Sequence, residues 1–82
     1  MPTQRTIAMI VNEAYFALEA NVSTKQDIDV AMKLGTNYPY GPFEWSKKIG
    51  LQEIYNLLNL LTTIDQKFTP CKLLEQEVET EN

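Results

Sequence analysis

Apolar residues recur every three or four positions along most of this chain. Ile7, Ile10, Val11, Ala14 and Leu18 share one face of a helix expected over about residues 4–20, and Asn21 is placed to stop it. In the next stretch, "NVSTKQDIDVAMKLG", Ser23 stands three before Gln26 and Thr24 three before Asp27. Either hydroxyl is suited to accept from the free amides at a helix start. A second helix then runs through Ile28, Ala31 and Met32. Gly35 is its expected end, because glycine takes the left-handed conformation of a cap without a side-chain clash, and Lys33 lies in the last turn, where the macrodipole favours a cation.

The pattern breaks at "GTNYPYGP". Pro39 forces Tyr38 toward an extended conformation and Pro42 does the same to Gly41, so this stretch reads as a stiff connector. Pro42 suits the first position of the next helix, where its missing amide hydrogen would have had no partner. That helix, "PFEWSKKIG", is short and closes at Gly50. A longer one follows, with Leu51, Ile54, Tyr55, Leu57, Leu58, Leu61 and Ile64 at spacings of three and four. Leu57, Leu58 and Leu61 are expected in the core, and Leu60, on the shoulder of the stripe, is the candidate for a contact between subunits. "DQKFTP" reads as a loop, after which Pro70 opens a last helix carrying Leu73, Leu74 and Val78 before an acidic tail that frays. No strand alternation competes. The expected fold class is all-α, about five helices in a single domain over residues 1–82.

Composition narrows the chemistry. An 82-residue chain builds a small core, so association with a second copy or a partner would add stability. The only cysteine, Cys71, has no intrachain partner for a disulfide and reads as a buried, inert thiol, which fits a cytoplasmic setting. A net charge of −4 argues against nucleic acid as a partner, and no apolar run is long enough to cross a membrane. The start lacks the charged and then unbroken apolar segments of a secretory signal. Histidine is absent, which removes the commonest general base at neutral pH and the commonest metal ligand. There is also no glycine-rich phosphate loop and no CxxC pair. Asp27 and Asp29, two apart on a helix, lie on different faces and make a poor acid–base pair; Asp27 is better explained by the positive end of the helix dipole. No catalytic residue and no metal site is assigned.

The run "NEAYFALEANVSTKQDIDVAMKLGTNYPYGPFEWSKKIGL", residues 12–51, with "RTIAMIVNEA" leading into it, resembles the C-terminal domain of the 3-hydroxyacyl-CoA dehydrogenases. The densest part is "DIDVAMKLGTNYPYGPFEW", where a helix start, a helix stop and two fixed prolines follow in one ungapped order. The resemblance is closest to the second, duplicated copy of the domain in longer bacterial members. It implies an all-α fold of the 6-phosphogluconate dehydrogenase C-terminal type and a place in fatty-acid metabolism. In that family a separate Rossmann domain binds NAD and carries the catalytic histidine, while the helical domain completes the acyl-CoA site and supplies dimer contacts. The chain therefore resembles half of an enzyme. It implies dimerisation and acyl-CoA site completion rather than catalysis alone, with NAD reached only through a Rossmann-domain partner. The alternative is a protein-interaction module that kept the fold and lost acyl-CoA contact.

Two sets of residues carry the family's site onto this chain. The family's substrate-positioning asparagine, followed by arginine, falls on Gln4 and Arg5, and the extra methylene of Gln4 argues against carrying the catalytic role over. The tyrosine and proline loop near the mouth of the acyl region falls on Tyr38, Pro39, Tyr40, Gly41 and Pro42, with Trp45 just beyond. Rigid aromatics on a stiff turn make a preorganised contact surface. The competing reading is that they simply pack and join two helices.

Overall fold

Thr3 starts the first helix by accepting the Thr6 amide on its hydroxyl at 3.1 Å, and α1 then runs Gln4–Glu19. The computed structural model describes residues 3–21 and 23–81, and among them it holds helices and turns with no strand. Asn21, with φ of 61°, turns the chain away from α1 as its position suggested. Of the two hydroxyls before α2 (Lys25–Thr36), Thr24 makes the cap, accepting from Asp27 N at 3.2 Å.

Gly35 does not end α2. The helix continues through Thr36, and Asn37 takes the left-handed conformation at φ 59°, donating its amide to the Lys33 carbonyl at 2.9 Å. Asparagine visits that region at lower cost than most residues, so the stop moves two positions along.

Pro42 opens α3 (Pro42–Ile49) as expected, and Gly50, at φ 101°, joins it directly to α4 (Leu51–Thr62). A 3₁₀ turn at Gln66–Phe68 follows, and α5 spans Lys72–Glu81. The last helix thus begins two residues after Pro70, and its acidic end stays helical through Glu81; Asn82 lies outside the described residues.

Helix α1 forms the centre, packing on α3, α4 and α5, while α2 leans chiefly on α3. Ile7, Val11 and Tyr15 from α1 meet Phe43 and Trp45 from α3, Ile54 and Leu58 from α4, and Leu74 and Val78 from α5. The stripe on α4 is narrower than its sequence spacing suggests. Leu51, Ile54, Leu58 and Leu61 are buried, Leu57 is only partly so, and Ile64 is 77% exposed just past the helix end. Leu60 is exposed at 63%.

Asn12 is among the polar side chains buried in the fold. Asn12 sits on the inward face of α1, where its Nδ2 donates to the Thr69 carbonyl at 2.9 Å and its Oδ1 accepts from Cys71 N at 2.7 Å. It clamps the chain just before α5 and satisfies an amide at that helix's start.

Candidate functional site

The connector and the start of α3 are fixed from α2. Asp29, buried on α2, accepts the Phe43 amide on Oδ1 at 2.7 Å, capping the N-terminus of α3 from across the interface. Glu44 completes the cap by accepting the Gly41 amide at 2.9 Å, and it pairs with Lys33 at 3.0 Å. Gly41 is buried against Asp29 so closely that a Cβ there would lie 2.5 Å from the Asp29 Cα.

Burial pushes the Asp29 carboxyl above its ordinary 3.8, outweighing the Phe43 amide that favours the charged form. Glu44 moves the other way, held down by the Gly41 amide and by Lys33. The raised value means that the stability due to Asp29 is fully present below 3.8 and is lost as pH rises through the folded-state value. Asp29→Asn keeps an acceptor for Phe43 and removes the buried charge. At pH 7 it should melt at or above the wild type, with the difference shrinking below about pH 3.5, whereas Asp29→Ala should lose about 1 kcal/mol below about pH 3.5 and less at pH 7. Thermal melts across pH check this; a wild type clearly more stable than Asp29→Asn at pH 7 would contradict it.

The aromatics of the connector pack on one another. Trp45 is buried and meets Tyr40 edge to face at 4.9 Å between ring centroids, with the Lys48 ammonium 4.8 Å from the Tyr40 ring centroid. Pro42 is buried, Tyr38 and Tyr40 are half-buried, and Pro39 is exposed. The structure thus gathers these residues into one joint between α2 and α3.

An apolar cleft lies elsewhere. It holds about 430 Å³ between the start of α1, the end of α3 and the outer side of α4. Ile7, Ile49, Ile54, Leu57 and Leu60 make it apolar, and Gln4, Glu53 and Asn56 supply its polar groups. Of the site residues carried over from the family, only Gln4 lines it; none of Tyr38, Pro39, Tyr40, Gly41, Pro42 and Trp45 does. Ile49, Glu53 and Asn56 were not singled out, because nothing in the helical period tells a cleft from an ordinary surface.

A second cleft of about 320 Å³ is crossed by Lys25, which donates to Glu77 Oε1 at 2.8 Å; Tyr15 Oη donates to the same oxygen at 2.8 Å. Lys25 and Glu77 pair with each other there, and Asp29 and Glu44 of the α3 cap line it together with Lys47. Cys71 is fully buried and its thiol lies 3.6 Å from Glu19 Oε2. Burial raises the thiol's pKa, which disfavours the nucleophilic thiolate. Among the described residues no group of histidine, cysteine or carboxylate side chains is arranged to hold a metal ion, and no helix is long and apolar enough to cross a membrane.

The family model for the 3-hydroxyacyl-CoA dehydrogenase C-terminal domain matches residues 1–82. The chain belongs to this family. This C-terminal domain is 50% identical over 74 residues to the 3-hydroxyadipyl-CoA dehydrogenase of Escherichia coli (strain K12), a match covering 88% of this chain and 16% of that protein. It is 38% identical over 77 residues to the 3-hydroxybutyryl-CoA dehydrogenase of Bradyrhizobium diazoefficiens, covering 92% of this chain and 26% of that one. The crystal structure of 3-hydroxybutyryl-CoA dehydrogenase from Escherichia coli K12 superposes with a TM-score of 0.88 at 48% identity, over 94% of this chain and 17% of that one. That of (S)-3-hydroxybutyryl-CoA dehydrogenase from Ralstonia eutropha gives 0.88 at 31% identity, over 96% and 29%. The dehydrogenase domain therefore spans between about a sixth and about three tenths of the length of these relatives.

Proposed function

We propose that this dehydrogenase C-terminal domain completes an acyl-CoA site and takes no catalytic part by itself, the apolar cleft beside Gln4 receiving the acyl chain. The observation that carries this reading is the cleft itself. A space of about 430 Å³ falls in the range of small-ligand sites, and it is lined by Gln4, the position onto which the resemblance maps the family's asparagine. The relatives are named for 3-hydroxyacyl-CoA substrates of four and six carbons, whose acyl part such a cleft accommodates. Hydride transfer then requires NAD, held by a Rossmann domain supplied by a partner or by another part of a longer polypeptide. In this reading the aromatic connector positions α3, and with it Ile49, and the protein works in the cytoplasm. It forms a homodimer, with exposed Leu60 as a contact.

Mixing tests the reading. A Rossmann domain of this family, assayed with NAD and 3-hydroxybutyryl-CoA, should show a lower KM when this chain is added, and the chain alone should show no turnover. An unchanged KM, or turnover by the chain alone, would contradict it.

A non-catalytic interaction module is the second reading. Val30 and Leu34, 48% and 81% exposed one turn apart on α2, favour it as an unpartnered apolar face. Sedimentation at high micromolar concentration tests the homodimer, which a clean monomer removes; titration with acetoacetyl-CoA followed by Trp45 fluorescence separates the two readings, since no response at millimolar ligand leaves the module alone standing.

A further inference from the structure

Glu53 and Asn56 line the apolar cleft three residues apart on α4. Residues at that spacing are neighbours on a helix surface, with Cβ atoms about 5–6 Å apart. The two groups differ in kind. A carboxylate such as that of Glu53 only accepts hydrogen bonds. An amide both donates and accepts, but Asn56 Oδ1 already takes the Gln52 Nε2 hydrogen at 2.9 Å, so what Asn56 offers a ligand is the donor Nδ2. Gln4 lies on the same cleft, and the isoleucine and leucine walls surround the three polar side chains.

Resting on the proposed acyl role of this cleft, we propose that Glu53 and Asn56 together read the third carbon of the acyl chain and favour an alcohol there over a ketone or a methylene. A hydroxyl donates one hydrogen bond and accepts others, and two bonds of about 2.8 Å meeting at one oxygen join groups roughly 5 Å apart, which is the spacing of this pair. The alcohol donates to the Glu53 carboxylate and accepts from Asn56 Nδ2. A ketone accepts from Asn56 in the same way, but it has no hydrogen for Glu53 and turns its lone pairs toward the carboxylate oxygens. A methylene answers neither group and displaces water from both. The apolar walls treat the rest of the chain alike in all three cases, so the difference between them belongs to the pair. Both side chains are exposed, and competition from water keeps the discrimination modest.

3-Hydroxybutyryl-CoA, acetoacetyl-CoA and butyryl-CoA provide the probes, since they match in length and differ only at that carbon. Calorimetric titration of the intact chain should give binding of the alcohol roughly five-fold tighter than that of either other thioester. Glu53→Leu should bring the alcohol and the ketone to equal affinity, because both still accept from Asn56. Asn56→Leu should weaken the alcohol and the ketone while leaving butyryl-CoA little changed. Equal affinity of the wild type for alcohol and ketone, or a gap between them that survives Glu53→Leu, overturns the role of the pair and leaves the acyl reading standing. Absence of binding by all three thioesters at millimolar concentration overturns both. A helical circular dichroism spectrum for each variant confirms that it is folded.

Discussion

Asn12→Ala is expected to lower the stability of the fold by about 3 kcal/mol, which for a domain of this size is a fall of roughly 15 °C in the thermal midpoint. Both halves of the Asn12 amide are used inside the protein, one on the Thr69 carbonyl and one on the Cys71 amide. Alanine leaves an acceptor and a donor without partners in a water-poor place, and each such group costs about 1–3 kcal/mol. It also frees the chain before α5, whose Leu74 and Val78 are part of the core. Asn12→Asp is the sharper variant. It keeps the acceptor for Cys71 but removes the donor for Thr69, and it sets a buried carboxylate against a carbonyl oxygen. Scanning calorimetry or a circular dichroism melt measures both. A loss below about 1 kcal/mol for Asn12→Ala would mean that the amide is not a clamp.

Gly41→Ala should have a comparable effect for a different reason. The backbone there, φ −82° and ψ 171°, is open to any residue, so no conformational strain is involved. The obstacle is Asp29, whose Cα, Cβ and Oδ1 all lie 2.5 Å from where the new methyl group would sit. Helices α2 and α3 must part, which stretches the 2.7 Å bond from Phe43 N to Asp29, and the combined cost is about 2–4 kcal/mol. Gly35→Ala is the matched control. That glycine is helical with nothing within 4 Å of the added carbon, so alanine there should stabilise by about 0.5–1 kcal/mol. Opposite signs at the two positions are the expected result of parallel melts; equal effects would contradict the close approach.

The contrast between these glycines also shows where sequence reading succeeds and where it stops. Periodicity located all five helices, and Pro42 and Gly50 punctuated α3 because their backbone constraints are local. Gly35 misled, because a glycine marks a helix end only where nothing nearby caps as well, and Asn37 did. The purpose of Gly41 is invisible in one dimension, since Asp29 stands twelve residues away in sequence and meets it only when α2 folds onto α3. Ile64 fits the α4 stripe by number, but the helix ends at Thr62 and the chain turns before Ile64 can reach the core.

The candidate site was less legible than the fold. Gln4 entered by its place in a family motif, and the structure sets it on the apolar cleft. Glu53 and Asn56 fall between core positions of α4 and look in sequence like ordinary solvated residues. Asn12 carried one available signal: it interrupts the buried face of α1 between Ala8 and Tyr15, where an amide persists only if both its ends are bonded.

The central claim is that the cleft walled by α1, α3 and α4 receives an acyl chain. Methyl-resolved NMR of the full chain during titration with hexanoyl-CoA tests it most directly. The account predicts saturable shifts at the methyl groups of Ile7, Ile49, Ile54, Leu57 and Leu60. Methyl signals that stay fixed there while resonances of Tyr38, Tyr40 and Trp45 move, or no shift anywhere at millimolar ligand, would contradict it.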